Sequence, residues 1–307
     1  MMHIACNIDS NYVKYCIVML LSAFENNERG SIDVHIIADD LSNQDKSLIE
    51  DSLKRYGNRL HFYDVDDKML ADCPISPDSY ISLSTYYRVF LPVILPAGVK
   101  KVIYLDCDLI VCSSLKPLWE TDITDYALAA VEDMWSDFEP PYDRLGYDSK
   151  YSYFNAGVLY INLEYWRMHN VLEECVKYIQ CYPDRLRLYD QDALNAVLYA
   201  RRLRIPFTWN MQEGFYRRKR RIRKEVWAEI DSCLASPAIL HYVGPAKPWH
   251  KACLHPLRKE WFVYLDQTKW KNERPSLTFK ELFFRRINDL GIFLKLDKPR
   301  YRKVKKK

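Results

Sequence analysis

Val102-Ile-Tyr-Leu-Asp106-Cys107-Asp108-Leu-Ile-Val-Cys112 is the stretch whose reading decides the fold of this chain. Apolar residues rich in Val and Ile flank two carboxylates that stand two residues apart. Such a run predicts a parallel strand buried on both faces rather than a half-exposed one, so the two acids fall where desolvation is expensive. A carboxylate removed from water needs a cation or several hydrogen-bond donors to offset the loss. A divalent metal meets that need, because Mg²⁺ and Mn²⁺ are hard ions that take carboxylate oxygens and bridge to a substrate phosphate. The plainer reading of the same residues is a turn that Asp106 caps, with Asp108 solvated.

Upstream, His3 to Ile8 predicts a strand that ends in the polar turn Asp9-Ser10-Asn11, followed by a helix from Tyr12 to Phe24. Ile32 to Ala38 and Leu60 to Val65 predict two further strands around a helix from about Ser42 to Tyr56. This alternation makes a parallel sheet covered by helices. The first turn would set backbone N–H groups and the Asp9 and Asn11 side chains at the carboxyl edge of that sheet, where α/β proteins bind nucleotides. No Gly-rich phosphate loop occurs there, which argues against a dinucleotide fold or a P-loop enzyme. Ser84 to Leu91 reads as the helix before the central strand. Within it Arg88 is a lone cation among apolar and aromatic residues, either a site residue or a surface Arg with a buried stem.

Downstream, Ala127 to Val131 is another core strand, and Tyr151 to Asn162 presents Asn155 and Gly157 at the mouth of a strand, where a small residue lets a ligand approach. Tyr189-Asp190-Gln191-Asp192 opens a helix with more acids than N-capping explains. Ile239 to Trp249 is a strand end running into a Pro-bracketed loop that carries His241 and Lys247. A His in that place is structural or ligating, and two acids already in need of a cation favour the ligand.

The chain of 307 residues, 49% hydrophobic and 14% aromatic, suits a compact globular protein with a sizeable core. Eight Gly and no Pro/Ser-rich tract leave no flexible linker. Nine scattered cysteines with no Cys-x-x-Cys read as reduced thiols of a cytosolic protein. The apolar run Tyr15 to Phe24 is too short to span a bilayer and has no basic leader, so neither a secretion signal nor a membrane helix is expected. The net charge of +4 is polarised: residues 295–307 carry eight Lys or Arg against one Asp, and Arg217 to Lys224 holds seven cations in eight residues. Such blocks attract phosphates on nucleic acid, lipid or substrate, or simply lie solvated. Thr278-Phe-Lys-Glu281 is a capping box opening a helix in which Leu282, Phe283, Ile287, Leu290 and Phe293 share one side. With the cationic tail, that helix predicts docking on the anionic inner face of the plasma membrane, the alternative being a helix packed on the protein's own core.

Leu105-Asp-Cys-Asp108, Tyr153-Phe-Asn-Ala-Gly157, Asp190-Gln-Asp192 and His241-Tyr-Val-Gly-Pro-Ala-Lys-Pro-Trp249, in that order across residues 3–255, resemble glycosyltransferase family 8. The family comprises retaining enzymes that include bacterial lipopolysaccharide galactosyl- and glucosyltransferases. The resemblance implies an α/β GT-A fold: a mainly parallel central sheet flanked by helices, with a Rossmann-like nucleotide-binding half. Residues 1–255 would form the catalytic domain and 256–307 a helical basic extension. It implies a UDP-sugar donor, galactose before glucose, a saccharide acceptor, and Mn²⁺ with Mg²⁺ as the alternative ion. By motif, Asp106, Asp108 and His241 would ligate the metal. Lys247 and the backbone of Gly244 would hold the pyrophosphate, and Asp9, Asn11 and Tyr12 would hold ribose and uracil. Arg88, Asn155, Asp190 and Gln191 would be the catalytic groups around the donor sugar. The first turn departs from the family, reading Asn7-Ile-Asp-Ser-Asn11 where many relatives have Ala-Ala-Asp-Asp. The Arg217 to Lys224 block falls where relatives meet the acceptor, which implies a phosphorylated or lipid-linked acceptor such as a lipopolysaccharide core and no nucleic-acid partner. A haloacid-dehalogenase phosphatase also carries Asp-x-Asp after a strand, but near its amino terminus and with no use for the His241 loop. A non-catalytic basic membrane or nucleic-acid adaptor explains the cations and not the acids. If Asp108 is a buried charge waiting for a metal, Asp108→Asn should stabilise the metal-free fold.

Overall fold

A computed structural model of the chain describes residues 1–65, 70, 73, 83–137 and 140–304. The first third follows the expected alternation: β1 (Met2–Asp9), α1 (Val13–Glu25), β2 (Ile32–Asp39), α2 (Asn43–Leu53) and β3 (Arg59–Asp64). A 3₁₀ helix, Leu83–Phe90, then runs into the short α3 (Leu91–Ile94), with Pro92 in its first turn. β4 (Lys101–Leu105), β5 (Leu109–Val111), α4 (Lys116–Trp119), β6 (Leu128–Glu132), α5 (Tyr142–Leu145) and β7 (Phe154–Asn162) follow. Three helices, α6 (Leu163–Met168), α7 (Val171–Cys181) and α8 (Tyr189–Leu198), precede β8 (Arg202–Arg204) and β9 (Met211–Gln212). The described chain closes with α9 (Trp227–Cys233), β10 (Ile239–His241), α10 (Arg258–Leu265) and α11 (Phe279–Phe293).

The strands form a seven-stranded sheet in the order β3-β2-β1-β4-β7-β6-β8 and a three-stranded sheet in the order β5-β10-β9. In the large sheet only β7 runs antiparallel to its neighbours. The stretch from Val102 to Cys112 is therefore not the single strand expected from its composition. β4 belongs to the large sheet and β5 to the small one, and Asp106-Cys107-Asp108 is the turn by which the chain leaves one for the other. Both halves are fully buried, which is why they read alike.

The order 3-2-1-4 places a topological switch between β1 and β4, where the chain departs to opposite sides. Ligands of open α/β sheets sit in the crevice at the carboxyl ends of such strands. Here those ends are Asp9 and the Asp106 turn. α1 is apolar almost all round, with Val13 and every residue from Cys16 to Phe24 buried. It is packed between the large sheet and α10, whose Trp261 and Leu265 join the same core, and a helix so enclosed has no need of a polar face. All nine cysteines are free. No helix among the described residues is long and apolar enough to cross a membrane.

Across β1, β2 and β3 lies a histidine ladder. His35 is buried, with Nε2 3.0 Å from His3 Nδ1, Nδ1 2.9 Å from the Tyr63 hydroxyl, and its ring stacked on His61. Burial, then His3 and His61, push its pKa down to about 4, while Asp33 pulls weakly the other way. Its neutral form is favoured by folding, so that stability is complete above the unfolded value near 6.5 and is lost as pH falls from there toward about 4. Unfolding titrations should show a loss on the order of 3 kcal/mol between pH 7.5 and 4.5 from this group. His255, which burial lowers to about 3, adds to the loss in the same direction. In His35→Gln that slope should become shallower; an unchanged slope would contradict the assignment.

Candidate active site

The turn between the two sheets holds the acids by its backbone. Asp106 N–H donates to the Gly157 carbonyl on β7 (2.9 Å), and Tyr242 N–H donates to the Asp108 carbonyl (3.0 Å). β10 pairs antiparallel with β5 in the register His241↔Leu109, which carries the imidazole across to the turn. Nε2 of His241 lies 3.0 Å from Asp108 Oδ1 and 3.9 Å from Asp106 Oδ2. One ligand atom from each of Asp106, Asp108 and His241 falls within 4.8 Å of the others. The set of two carboxylates and an imidazole suits Mn²⁺ or Mg²⁺.

Gly157 makes this convergence possible. A Cβ there would stand 2.3 Å from His241 Cε1 and 2.6 Å from Asp106 Oδ2. The glycine was expected to admit a ligand to the backbone; what it admits is the chain's own imidazole and carboxylate. This cradle, empty of any side chain at its floor, fits a divalent ion to the three residues.

Asp108 is not the uncompensated charge that the sequence suggested. Burial alone would raise its pKa, but Lys247 and His241 outweigh it and hold the carboxylate far below its ordinary range. Lys247 Nζ donates to Asp108 Oδ2 and to the Tyr242 carbonyl (3.1 Å). The expectation that Asp108→Asn stabilises the protein is therefore reversed, because the substitution leaves the ammonium without its counter-charge. Gly244, at φ +93°, turns the loop that brings Lys247 back over the turn.

Arg88 is buried and is no surface residue. Its Nη2 sits 3.0 Å from Asp106 Oδ1 and its Nε 2.9 Å from Asp190 Oδ2, while Nη1 donates to the Ala156 carbonyl (2.6 Å) and the guanidinium lies over the Tyr104 ring. The Nε proton is directed at the Thr85 carbonyl (3.2 Å), so Asp190 Oδ2 is held by charge and has no hydrogen-bond donor. Oδ1 accepts from Thr85 (2.6 Å). Burial raises Asp190 to about 6, against the pull of Arg88. The second acid of the motif has a different task. Asp192 accepts from the Arg187 and Leu188 backbone N–H groups, from Tyr153 and from Arg144, fixing the start of α8.

Gln191 and Asn155 meet on Asp133, a residue the sequence reading missed. Asn155 Nδ2 (3.0 Å) and Gln191 Nε2 (3.3 Å) both donate to Asp133 Oδ2, and Gln191 Oε1 accepts from Ala156 N–H (2.9 Å). Asn7 and Asn210 were also missed. Asn7 Oδ1 and Asp106 Oδ1 (3.1 Å) flank the Tyr104 hydroxyl, and Asn210 contacts His241. A single Asn within a strand or a 3₁₀ turn, or a single Asp just past a strand end, leaves no pattern that singles it out.

At the end of β1, Asp9 Oδ1 accepts from the Asn11 (2.9 Å) and Tyr12 (3.1 Å) N–H groups and caps the turn. Asn11 and Tyr12 are exposed. The Tyr12 ring meets Tyr15 edge-on, and Tyr15 stacks on Trp249 with centroids 3.8 Å apart, making an aromatic shelf beside the His241 loop. The basic block is divided rather than a uniform cationic face. Arg217 pairs with Glu213, Arg220 with Asp231 and Arg223 with Glu132, all holding the fold, while Arg218, Lys219, Arg221 and Lys224 face solvent. The tail closes on the same segment: Tyr301 bridges Arg217, and Arg302 N–H donates to the Tyr216 carbonyl (2.9 Å). Residues 305–307 of the tail lie outside the described residues. α11 turns its apolar residues outward, with Phe279 87%, Phe293 80% and Leu296 just beyond it 78% exposed.

Comparison with known proteins places this geometry. The model of glycosyl transferase family 8 matches residues 3–253. General stress protein A of Bacillus subtilis (strain 168) is 32% identical over 274 residues, covering 88% of this chain and 94% of that protein. The lipopolysaccharide 1,2-glucosyltransferase of Escherichia coli (strain K12) is 25% identical over 276 residues, covering 89% and 80%. The crystal structure of the galactosyltransferase LgtC in complex with donor and acceptor sugar analogs superposes with a TM-score of 0.79 at 28% identity, covering 91% of this chain and 98% of that one.

Proposed function

This chain belongs to glycosyl transferase family 8 and has the GT-A fold, and from that premise we propose that it transfers a hexose from a UDP-sugar to a saccharide hydroxyl with retention of anomeric configuration. Galactose is favoured over glucose as the donor sugar, and surface-glycan assembly such as lipopolysaccharide synthesis is the setting that the similar enzymes suggest. The observation that carries this reading is the meeting of Asp106, Asp108 and His241 at the switch between β1 and β4, one guanidinium away from Asp190. Membership of the family sets aside the phosphatase and adaptor readings.

Asp106, Asp108 and His241 would hold Mn²⁺, or Mg²⁺ in its place, which when bound neutralises charge on the two phosphates of the leaving UDP. Lys247 and the Gly244 backbone add charge-assisted hydrogen bonds to the pyrophosphate, strengthening as its charge grows. Asp9, Asn11 and Tyr12 hold ribose and uracil. Asp190, held beside Arg88 with an Oδ2 that has charge but no hydrogen-bond donor, is the carboxylate that would answer the positive charge developing at the anomeric carbon. The bond from the anomeric carbon to the β-phosphate oxygen breaks. The acceptor oxygen attaches on the same face, and its proton passes to the departing phosphate. Gln191 positions the sugar and is not the nucleophile, since both ends of its amide are engaged by Ala156 and Asp133. Isolation of a glycosyl adduct on Gln191 or Asp190 would sink this mechanism.

The donor is tested by screening hydrolysis of UDP-galactose, UDP-glucose and their N-acetyl forms with and without Mn²⁺, which needs no acceptor. A phosphorylated or lipid-linked acceptor is the partner that the solvent-facing Arg218, Lys219 and Arg221 would serve. Reversing those three charges should raise the acceptor KM and leave donor hydrolysis unchanged. The exposed apolar residues of α11 and the Lys-rich tail together suit an anionic bilayer surface, giving a peripheral protein of the cytoplasmic membrane face. Phe279→Ser/Phe293→Ser/Leu296→Ser should lose most of its flotation with anionic vesicles; undiminished flotation would exclude this surface.

A further inference from the structure

We propose that Asn210 is a positioning residue that fixes the proton of His241 on Nδ1, and so keeps Nε2 as the atom offered to a metal. The inference rests on the family 8 reading of the site for the metal, but its geometric part stands on one backbone group. Gly157 N–H lies 3.0 Å from the near side-chain atom of Asn155. A backbone N–H can only donate, so that atom is Oδ1 and the amide cannot be reversed. Asn155 Nδ2 then faces Asp133 Oδ2 at 3.0 Å, a carboxylate oxygen suited to accept it.

The next link follows by the same elimination. Asn210 has a side-chain atom 2.9 Å from Asn155 Oδ1, which must be a donor and is therefore Nδ2. Its other atom, Oδ1, lies 2.9 Å from His241 Nδ1. An amide oxygen cannot donate, so the imidazole must supply the proton. Asn155, Asn210 and His241 are all buried. Flipping Asn210 would set two oxygens face to face in a buried place and leave both of its hydrogen bonds unmade. Nε2, across the ring, lies 3.0 Å from Asp108 Oδ1 and among the three ligand atoms, so a proton anchored on Nδ1 leaves Nε2 as the ring atom that a metal there can take. The chain Gly157–Asn155–Asn210 sets that anchor from the far side of the ring, as ligating histidines commonly require.

The placement is rigid. Asn210 closes the 3₁₀ turn Phe207–Asn210, immediately before β9, and β9 pairs with β10 in the register Leu240↔Met211 and His241↔Gln212. Gln212 ties β9 to the end of β6, donating to the Glu132 carbonyl (2.9 Å) and accepting from Met134 N–H (2.8 Å). Asp133, just past that end, receives Asn155 and Gln191 together. One carboxylate thus stands at the root of both the histidine branch and the sugar-facing glutamine.

The test uses the full chain and two variants. Asn210→Leu removes the acceptor; Asn210→Asp keeps one toward His241. Nitrogen NMR of the metal-free proteins reads which ring nitrogen of His241 is protonated, and Mn²⁺ titration followed by electron paramagnetic resonance reads affinity. Nδ1 should be protonated in the parent and in Asn210→Asp, and bare in Asn210→Leu, whose Mn²⁺ affinity should fall by about 10–100-fold. A protonated Nδ1 and parental affinity in Asn210→Leu would overturn the proposal. Should that variant not fold, a bare Nδ1 in the parent is sufficient to overturn it. A parent with Nδ1 protonated but no affinity for Mn²⁺ would count against the metal reading of the site while supporting the hydrogen-bonded relay.

Discussion

Asp108→Asn is expected to abolish divalent-ion-dependent donor binding and to lower kcat/KM by on the order of 10³-fold or more. The substitution removes a charged ligand oxygen from the set formed with Asp106 and His241, and an amide is a poor replacement for a hard divalent ion. It should also destabilise the fold by about 1–3 kcal/mol, because the Lys247 ammonium loses the carboxylate that now answers its charge. The two effects separate in one experiment. Thermal unfolding without metal reads the ion pair, and added Mn²⁺ with UDP should raise the melting temperature of the parent but not of the variant. A variant as stable as the parent without metal would show that Lys247 finds another partner.

Gly157→Ala is expected to be nearly as damaging, although it removes nothing and adds one methyl group. The new Cβ would overlap both His241 Cε1 and Asp106 Oδ2, at 2.3 and 2.6 Å. Neither group is the loose end of a flexible chain. The imidazole is fixed by Asn210 and Asp108, and the carboxylate by Arg88. Relief requires a shift of about 1 Å in the ligand set, and displacements of that size cost on the order of 10²-fold in rate. Mn²⁺ affinity should fall in parallel with kcat/KM. Full activity in Gly157→Ala would mean that the three ligands do not act from the positions described.

Much of the fold was legible because its signals are local. The alternation of apolar runs with capped helices over residues 2–64 gave the parallel half, and the motifs around Asp106, Asn155, Asp190 and His241 were each recognisable in place. The division of Val102 to Cys112 between two sheets was not legible, since a strand buried in either sheet has the same composition. Nor was the antiparallel course of β7, which depends on the three-dimensional return of the chain. Asn210 and Asp133 carry no neighbouring pattern, and their roles arise only when β9 lies against β10 and β6 ends beside β7. The basic block was legible only in part, for an electrostatic reason. Charge counts along a sequence do not reveal that Arg217, Arg220 and Arg223 are matched by Glu213, Asp231 and Glu132 from elsewhere in the chain.

Isothermal calorimetry of UDP binding, with Mn²⁺ and with chelator in its place, decides whether Asp106, Asp108 and His241 hold the ion for the donor. Stoichiometric binding is expected in the parent, requiring the ion and absent in Asp106→Asn and Asp108→Asn. Binding of UDP that is equally strong in chelator, or that survives both substitutions, would contradict it.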